Sequence, residues 1–500
     1  MTKKTPLRHS EARRAKESAF VRARSDRSRS FAALSMALGL SLLVLSPALA
    51  QTPSTLPVLT VGEVMRSALR QNPNLLDSRD ALLSAQVSEH GVASTFLPQV
   101  TPFFSTDRNA DTGFRTRSYG LTASQQFLFG PLLEGSASVT RSDAALDPTQ
   151  PYSSDLRLSL TQNLLRGLDP ATTGEPLREA KRSTSAATRQ LEITRRRTVL
   201  AVYQSYLGVA RQNETLRIAR DRAERARQLT EVSRGRFQAG TVSRLDVLRA
   251  EQQEASAELA ANDAQNLLED FRDALRRVAG LPRDLEFDIR EAAELPASEA
   301  ELARAVEGVM EMRPEALEAR DLVVDAEFSV RIAKSFQLPS VQGVVTYEAF
   351  STGSSVSDSL HVRNPAVFFG LRSQYGLNAT LLYAQRREAE ITLESRRRNF
   401  KLLEDDLVRE VRRAYRQLDA LKRDYAIAAA NKKVAELQYE VAQLRFEKGL
   451  SDNFNVVDAE NLLNSTRLLE VGSRFDILLA RLDCLFSSGR LEVLSFLQQP

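Results

Sequence analysis

The chain has 500 residues, no tryptophan and only 6% aromatic side chains, a composition that disfavours ordinary compact cores and points to long helices. Its formal charge of +4 misleads, because residues 1–50 carry ten Lys/Arg against three Asp/Glu. Without that excess of seven the remainder stands near −3, so the high pI is no argument for a nucleic-acid partner.

The first fifty residues read as a leader. A basic stretch ending in Arg27-Ser28-Arg29 precedes the apolar run Ala32 to Leu45, and Ala48-Leu49-Ala50 has the small-apolar-small form of a signal-peptidase site before Gln51. Residues 1–50 are therefore expected to be a signal peptide and the chain to be exported. A run of ~14 apolar residues is short for a spanning helix, which needs about 20. An uncleaved anchor is the alternative that the long basic region leaves open. Cys484 is the only cysteine, which excludes an internal disulfide, and none sits at the cleavage site to take a lipid anchor. Beyond the leader no apolar run could cross a bilayer as a helix, so any crossing falls to β-strands.

Residues 51–281 form a first unit. Thr60-x-x-Glu63 reads as a capping box opening a helical segment over 60–97, broken early by Pro73 and stopped by Leu97-Pro98. The period then changes to two over 99–165: Tyr119, Leu121, Ala123, Phe127 and Phe129 alternate with polar residues, as do Leu156, Leu158, Leu160 and Leu164. Segments of ~9 to 11 alternating residues between polar loops predict outer-membrane barrel strands, a half-exposed soluble sheet being the alternative. No proline occurs between Pro176 and Pro282, and a helical hairpin is expected over 175–280 with its tip at 236–246, where Gly240 caps the first helix. The helix Glu175 to Gly235 would be roughly 90 Å long. Val202, Tyr206, Val209 and Leu216, interrupted by Asn213, give it a coiled-coil-like seam.

A linker over 282–297, with Pro282 and Pro296, leads to a second unit at 298–490. Its helical segment, 298–337, opens at Ser298-x-x-Glu301 and stops at Leu338-Pro339; strands over 340–378 carry Val341, Val345, Tyr347, Phe369, Leu371, Tyr375 and Leu377. A second hairpin is expected over 383–488 with its tip at 445–458, followed by a tail, 491–500.

The two units repeat one another. At an offset of 241, Pro73/Pro314, Leu76/Leu317, Arg79/Arg320, Asp80/Asp321, Ala85/Ala326, Ser88/Ser329, Ser94/Ser335, Leu97/Leu338, Pro98/Pro339 and Val100/Val341 match without a gap. At an offset of 209, Tyr206/Tyr415, Arg236/Arg445, Phe237/Phe446, Gly240/Gly449, Val247/Val456, Ala250/Ala459, Glu251/Glu460 and Gly280/Gly489 match. The two offsets differ by 32 residues, which sit between the Leu-Pro exit and the long helix of the first unit. They surround the alternating segment Leu133 to Val139, expected to be an extra hairpin that adds barrel strands or extends the outer loops.

A leader, paired helix-strand-strand-helix-helix units, an Asn-Pro entry with Leu-Pro exit, and Phe-x-x-Gly helix tips together resemble the TolC family of outer-membrane channels over residues 58–490. The resemblance implies a mainly α fold with a membrane β-barrel: a homotrimer whose strands close one barrel in the outer-membrane lipid and whose helices form a tunnel across the periplasm. It implies an exit duct for a tripartite efflux pump or type I secretion system. Its partners would be a periplasmic adaptor (membrane fusion protein) and an inner-membrane pump or ABC exporter. The tips Gly240, Thr241, Ser243 and Arg244, and Gly449, Leu450, Ser451 and Asp452, would dock the adaptor. In the family two aspartates three residues apart ring the periplasmic entrance; here the matching positions hold Asn455 and Asp458, with Asp246 matching Asn455 through the repeat. The family's proline at the exit from the last strand is absent from Gln162-Asn163-Leu164 and Gln374-Tyr375-Gly376.

Nothing points to catalysis. His9, His90 and His361 are scattered, no Cys/His/carboxylate cluster has metal-ligand spacing, and no phosphate loop or nucleophile elbow occurs, so neither metal nor cofactor is expected. Arg195-Arg196-Arg197 and Arg396-Arg397-Arg398 read as solvated faces with acidic neighbours, not as nucleic-acid sites. The competing reading is a periplasmic coiled-coil adaptor that never enters the membrane; two hairpins and duplicated strands favour the channel.

Overall fold

The computed structural model describes residues 57–143, 147–290, 302–361, 363–376 and 379–491. The leader with Ala48, Ala50 and Gln51, the Ser298/Glu301 pair, Pro296, Leu377 and the tail after 491 lie outside these residues.

A short strand, β1 (Val58–Leu59), runs into α1 (Val61–Gln71) through a complete capping box. The Glu63 carboxylate accepts from the Thr60 N–H at 2.9 Å, and Thr60 Oγ1 accepts from the Glu63 N–H at 3.3 Å. Asn72 ends α1 and caps α2 (Pro73–Ser94), its Oδ1 accepting from the Leu75 N–H at 3.2 Å. Four strands follow: β2 (Gln99–Arg108), β3 (Arg115–Gln126), β4 (Leu132–Ser142) and β5 (Tyr152–Asn163). A single turn, α3 (Pro170–Thr173), precedes α4 (Glu175–Gln238) and its partner α5 (Arg244–Ala279). At 64 residues α4 is roughly 96 Å long.

Within the segment expected to be a plain linker, β6 (Asp288–Ile289) pairs in parallel with β1. The second unit is α6 (Leu302–Met312), α7 (Pro314–Ser335), β7 (Ser340–Gly353), α8 (Val356–Ser359), β8 (Asn364–Gln374), α9 (Ala379–Glu447) and α10 (Asn453–Ser487).

Strands β2 to β5, β7 and β8 form one antiparallel sheet in that order. Some strand assignments made from periodicity alone need correction. Phe127 and Phe129 are not on β3 but in the turn after it, where the Gly130 N–H donates to the Phe127 carbonyl at 3.0 Å. Leu164 and Tyr375 fall just beyond β5 and β8. Alternation persists through a tight turn, so it cannot mark where the ladder ends.

The repeat is repeated in contacts as well as residues. Gly280 and Gly489 end α5 and α10 with φ of +65° and +73°, and an added Cβ would come within 2.9 Å of Gln71 in one unit and 2.8 Å of Met312 in the other. Gln71 and Met312 match at the offset of 241, so both joints need glycine for its backbone and for the close approach. The residues after them, Asn72 and Arg313, differ chemically yet reach matching carbonyls. Asn72 Nδ2 donates to Val278 at 2.8 Å and Arg313 Nη1 donates to Ser487 at 3.1 Å.

The largest core wraps the middle of α4, where Val202, Tyr203, Tyr206 and Val209 meet Val64, Met65 and Ala68 of α1, Leu275 of α5, and Phe287. The Tyr206 hydroxyl is positioned to donate to either the Arg290 carbonyl at 2.7 Å or the Leu59 carbonyl at 3.2 Å, joining β1 and β6 to the long helix. Burial pushes its pKa up to about 12, so it stays a donor at neutral pH.

Candidate functional site

Two regions carry the features expected of a channel: the sheet and the hairpin tips. Because side chains alternate along a strand, pairing register decides which residues share a face. Pro102, Leu121, Ala137, Leu156 and Ala349 fall in one row across five strands. Val100, Ala123, Gly135, Leu158, Tyr347 and Val367 fall in the next, across all six. Leu133, Leu160, Val345 and Phe369 form a third. This face is apolar and largely open, with Phe369 81% and Leu371 72% exposed. The opposite face is rich in hydroxyl and charged groups. Ser118 and Thr140 hydroxyls lie 2.9 Å apart, and Arg157 pairs with Glu348 at 2.6 Å. Phe103, Phe350 and Phe368 interrupt it, Phe103 lying over Gly120. Proline on β2 and β8 falls on the edge strands, where a missing N–H costs least.

At the tips, α4 and α9 end alike. Gly240 and Gly449 have φ of +73° and +71°. The Thr241 N–H donates to the Arg236 carbonyl at 3.0 Å, and the Leu450 N–H to the Arg445 carbonyl at 2.8 Å. The chain then re-enters a helix through side-chain caps. Ser243 and Asp246 form a second capping box, with Ser243 Oγ donating to Asp246 Oδ2 at 2.6 Å. Asp246 is thus committed to the start of α5. Asp452 caps α10, and Asn455 Nδ2 donates to Asp452 Oδ1 at 2.8 Å and Ser451 Oγ at 3.0 Å. Asp458, one turn on, is exposed on the same helix face as Asn455. Arg244 and Leu450 are exposed as well, and Leu450, Ser451, Asp452 and Asn455 line a groove of ≈ 630 Å³ with Val434 and Val441.

Residues that sequence reasoning passed over hold the two tips together. Arg236 donates to the Phe446 and Glu447 carbonyls at 2.6 and 3.0 Å, its guanidinium 4.3 Å from the Phe446 ring centroid. Asn453 Nδ2 donates to the Asp246 carbonyl at 3.0 Å. Glu460, 1% exposed, pairs with Arg225 at 3.2 Å; burial pushes its carboxyl above the ordinary value while Arg225 pulls it back. Matching of Arg236 with Arg445 and Glu251 with Glu460 was the available signal, but a match does not say which partner each side chain meets. Four of the six arginines in the two runs are ion-paired: Arg195 and Arg196 with Glu192, Arg397 with Glu327, Arg398 with Glu394. Among the described residues no helix is long and apolar enough to cross a membrane, and no acidic, histidine or cysteine group could hold a metal ion.

The model of the outer membrane efflux protein family matches residues 64–281, the first unit from α1 to the end of α5. Over that stretch the chain is similar to the outer membrane efflux protein family. No curated protein sequence matches it. Among solved structures, VceC of Vibrio cholerae is 16% identical, with a TM-score of 0.68 over 86% of this chain and 96% of that one. CusC is 16% identical, TM-score 0.66, over 90% and 99%. CmeC of Campylobacter jejuni is 15% identical, TM-score 0.64, over 91% and 95%. The chain therefore has the fold of TolC-like outer-membrane channels along nearly its whole described length.

Proposed function

We propose that this protein is the outer-membrane exit duct of a multipart export machine, assembled as a homotrimer, with its sheet in the outer membrane and its helices in the periplasm. The observation that carries the reading is the sheet, apolar and open on one face and polar on the other, with long helices attached at one end. A six-stranded sheet with two free edges does not bury either edge alone; closing with sister chains satisfies both. The helices need partners too, since Ile427, Val434 and Val441 repeat every seventh residue along α9 and remain half exposed.

The tip residues Gly240, Thr241, Ser243 and Arg244, with Gly449, Leu450, Ser451 and Asp452, dock a periplasmic adaptor. An inner-membrane pump or ABC exporter supplies the energy. Asp458 and Asn455 line the periplasmic entrance, with Asp246 beside them and held by its cap. Fractionation tests the reading: the protein is expected in the outer membrane, and a detergent extract is expected to hold three copies by native mass measurement. A protein wholly released by osmotic shock, or monodisperse as a monomer in mild detergent, would overturn it. Cysteine cross-links from positions 244 and 451 to a co-expressed adaptor test the docking surface, and their absence from an intact complex rejects it.

A further inference from the structure

The first unit contributes four strands to the sheet and the second only two. By the repeat, β2 corresponds to β7, since both follow Leu-Pro, and β5 corresponds to β8, since both lead toward a long helix. The hairpin β3–β4 has no counterpart. It is built as wall. β3 pairs with β2 from Arg115 to Ser124, and β4 pairs with β5 from Leu132 to Arg141, so the insertion is laddered to the sheet along its length on both sides. Both faces also continue through it. Tyr119, Leu121, Ala123, Leu133, Ala137 and Val139 extend the apolar rows, while Ser118, Thr122, Ser136, Ser138 and Thr140 extend the polar ones. An external loop would pair only with itself, and a plug would not hold the apolar rows in register with the lipid-facing belt.

We propose that the β3–β4 insertion widens the barrel, so that three copies close eighteen strands where two plain units per chain would close twelve. This rests on the trimeric channel reading. The edges permit closure. β2 runs away from the helices and β8 runs back toward them, so the β8 edge of one copy meets the β2 edge of the next in antiparallel sense, and an even strand number leaves no parallel pair. With strands about 4.8 Å apart and tilted about 40°, the backbone cylinder has a radius of roughly 18 Å for eighteen strands against roughly 12 Å for twelve. The insertion adds strands and no helix. The barrel mouth, lined by serine and threonine, is thus wide relative to the helical part, and bulky polar cargo is not sieved there.

Four measurements test this. Native mass measurement first establishes the trimer, separating failure of the channel reading from failure of the strand count. A density map of that trimer in detergent is expected to show eighteen wall strands; twelve, with the hairpin outside, overturns the proposal. In planar bilayers, polyethylene glycols added from the barrel side are expected to enter a cross-section about twofold larger than in a variant lacking residues 113–146; equal cut-offs overturn it. Should the deletion fail to assemble, single-cysteine variants of the full chain decide, Cys484 being buried. A membrane-impermeant maleimide is expected to label T122C and S136C through the water-filled lumen and to spare L121C and A137C in lipid. Labelling of all four places the hairpin outside the wall and overturns it.

Discussion

Asn455 has a structural role beside the gate position proposed for it. Its amide donates to Asp452 and Ser451, which hold the first turn of α10, and so it cannot be treated only as a weakened gate residue. Three symmetry-related Asp458 carboxylates about 8 Å apart would repel by about 1 to 2 kcal/mol per pair at an effective dielectric of ~20 to 40. That is too little to force an entrance open, yet enough to attract cations. Conductance is expected to be cation-selective, with Asp458→Asn weakening block by multivalent cations in bilayer recordings. Asn455→Asp is expected to strengthen block while lowering thermal stability by about 1 kcal/mol through the damaged cap. Unchanged block in both variants would remove the pair from the gate. Glu460 makes a separate prediction. Its folded pKa lies above the unfolded value of 4.5, so the folded state holds the proton more tightly. The stabilisation is complete below 4.5 and is lost as pH rises through the folded value. The denaturation midpoint of the wild type is expected to fall across that window more steeply than that of Glu460→Gln; parallel curves would show that another group governs the slope.

At the scale of an element, β8 offers a sharp contrast. Phe369 and Phe368 are neighbours in sequence, but register sets Phe369 beside Val345 in the apolar belt and Phe368 beside Thr346 on the polar face. A charge facing lipid near the bilayer midplane costs about 2–4 kcal/mol for Arg or Lys and less for Asp or Glu. Phe369→Arg is therefore expected to reduce outer-membrane yield severely, whereas Phe368→Arg should assemble. Comparing heat-resistant oligomer in membranes from the two strains checks this, and equal loss would mean that the faces are assigned the wrong way round. The alternation behind this contrast was readable in the sequence. The extent of each strand was not, because Phe127 and Phe129 keep the period after the ladder has stopped.

At the scale of the whole molecule, exposed apolar groups on α9 are the seam expected for the proposed trimer. Val434 and Val441 are half exposed in the lone chain, two turns apart and in line with Ile427. Completing the burial of such a half-exposed pair against a sister helix contributes roughly 1 kcal/mol per side chain, about half the value for full burial. Replacing both by aspartate is expected to shift the detergent-extracted protein from three copies to one while circular dichroism retains the helix signal. A trimer of unchanged mass would place the subunit seam elsewhere. Along the helices Glu192, Glu327 and Glu394 pair with four of the six arginines of the two runs.

Several features were determined by the sequence alone. These were the repeat, the proline-free long helices, the glycine tips and the two-residue period of the strands, because each depends on backbone preferences or periodicity within a short stretch. The insertion was also legible as 32 extra residues with alternating character. Tertiary structure decided what those residues become. Only pairing of β3 with β2 and of β4 with β5 makes them wall, since register between strands far apart in sequence is set by the assembled sheet. The parallel β1–β6 pair was likewise hidden, being two residues long and 230 positions apart, too short for any period and held by Tyr206 from a helix between them. Tertiary packing also decided the role of Arg236, whose guanidinium the neighbouring hairpin takes up at the Phe446 and Glu447 carbonyls, whereas Asp246 and Asn455 are held by bonds within the first turns of their own helices.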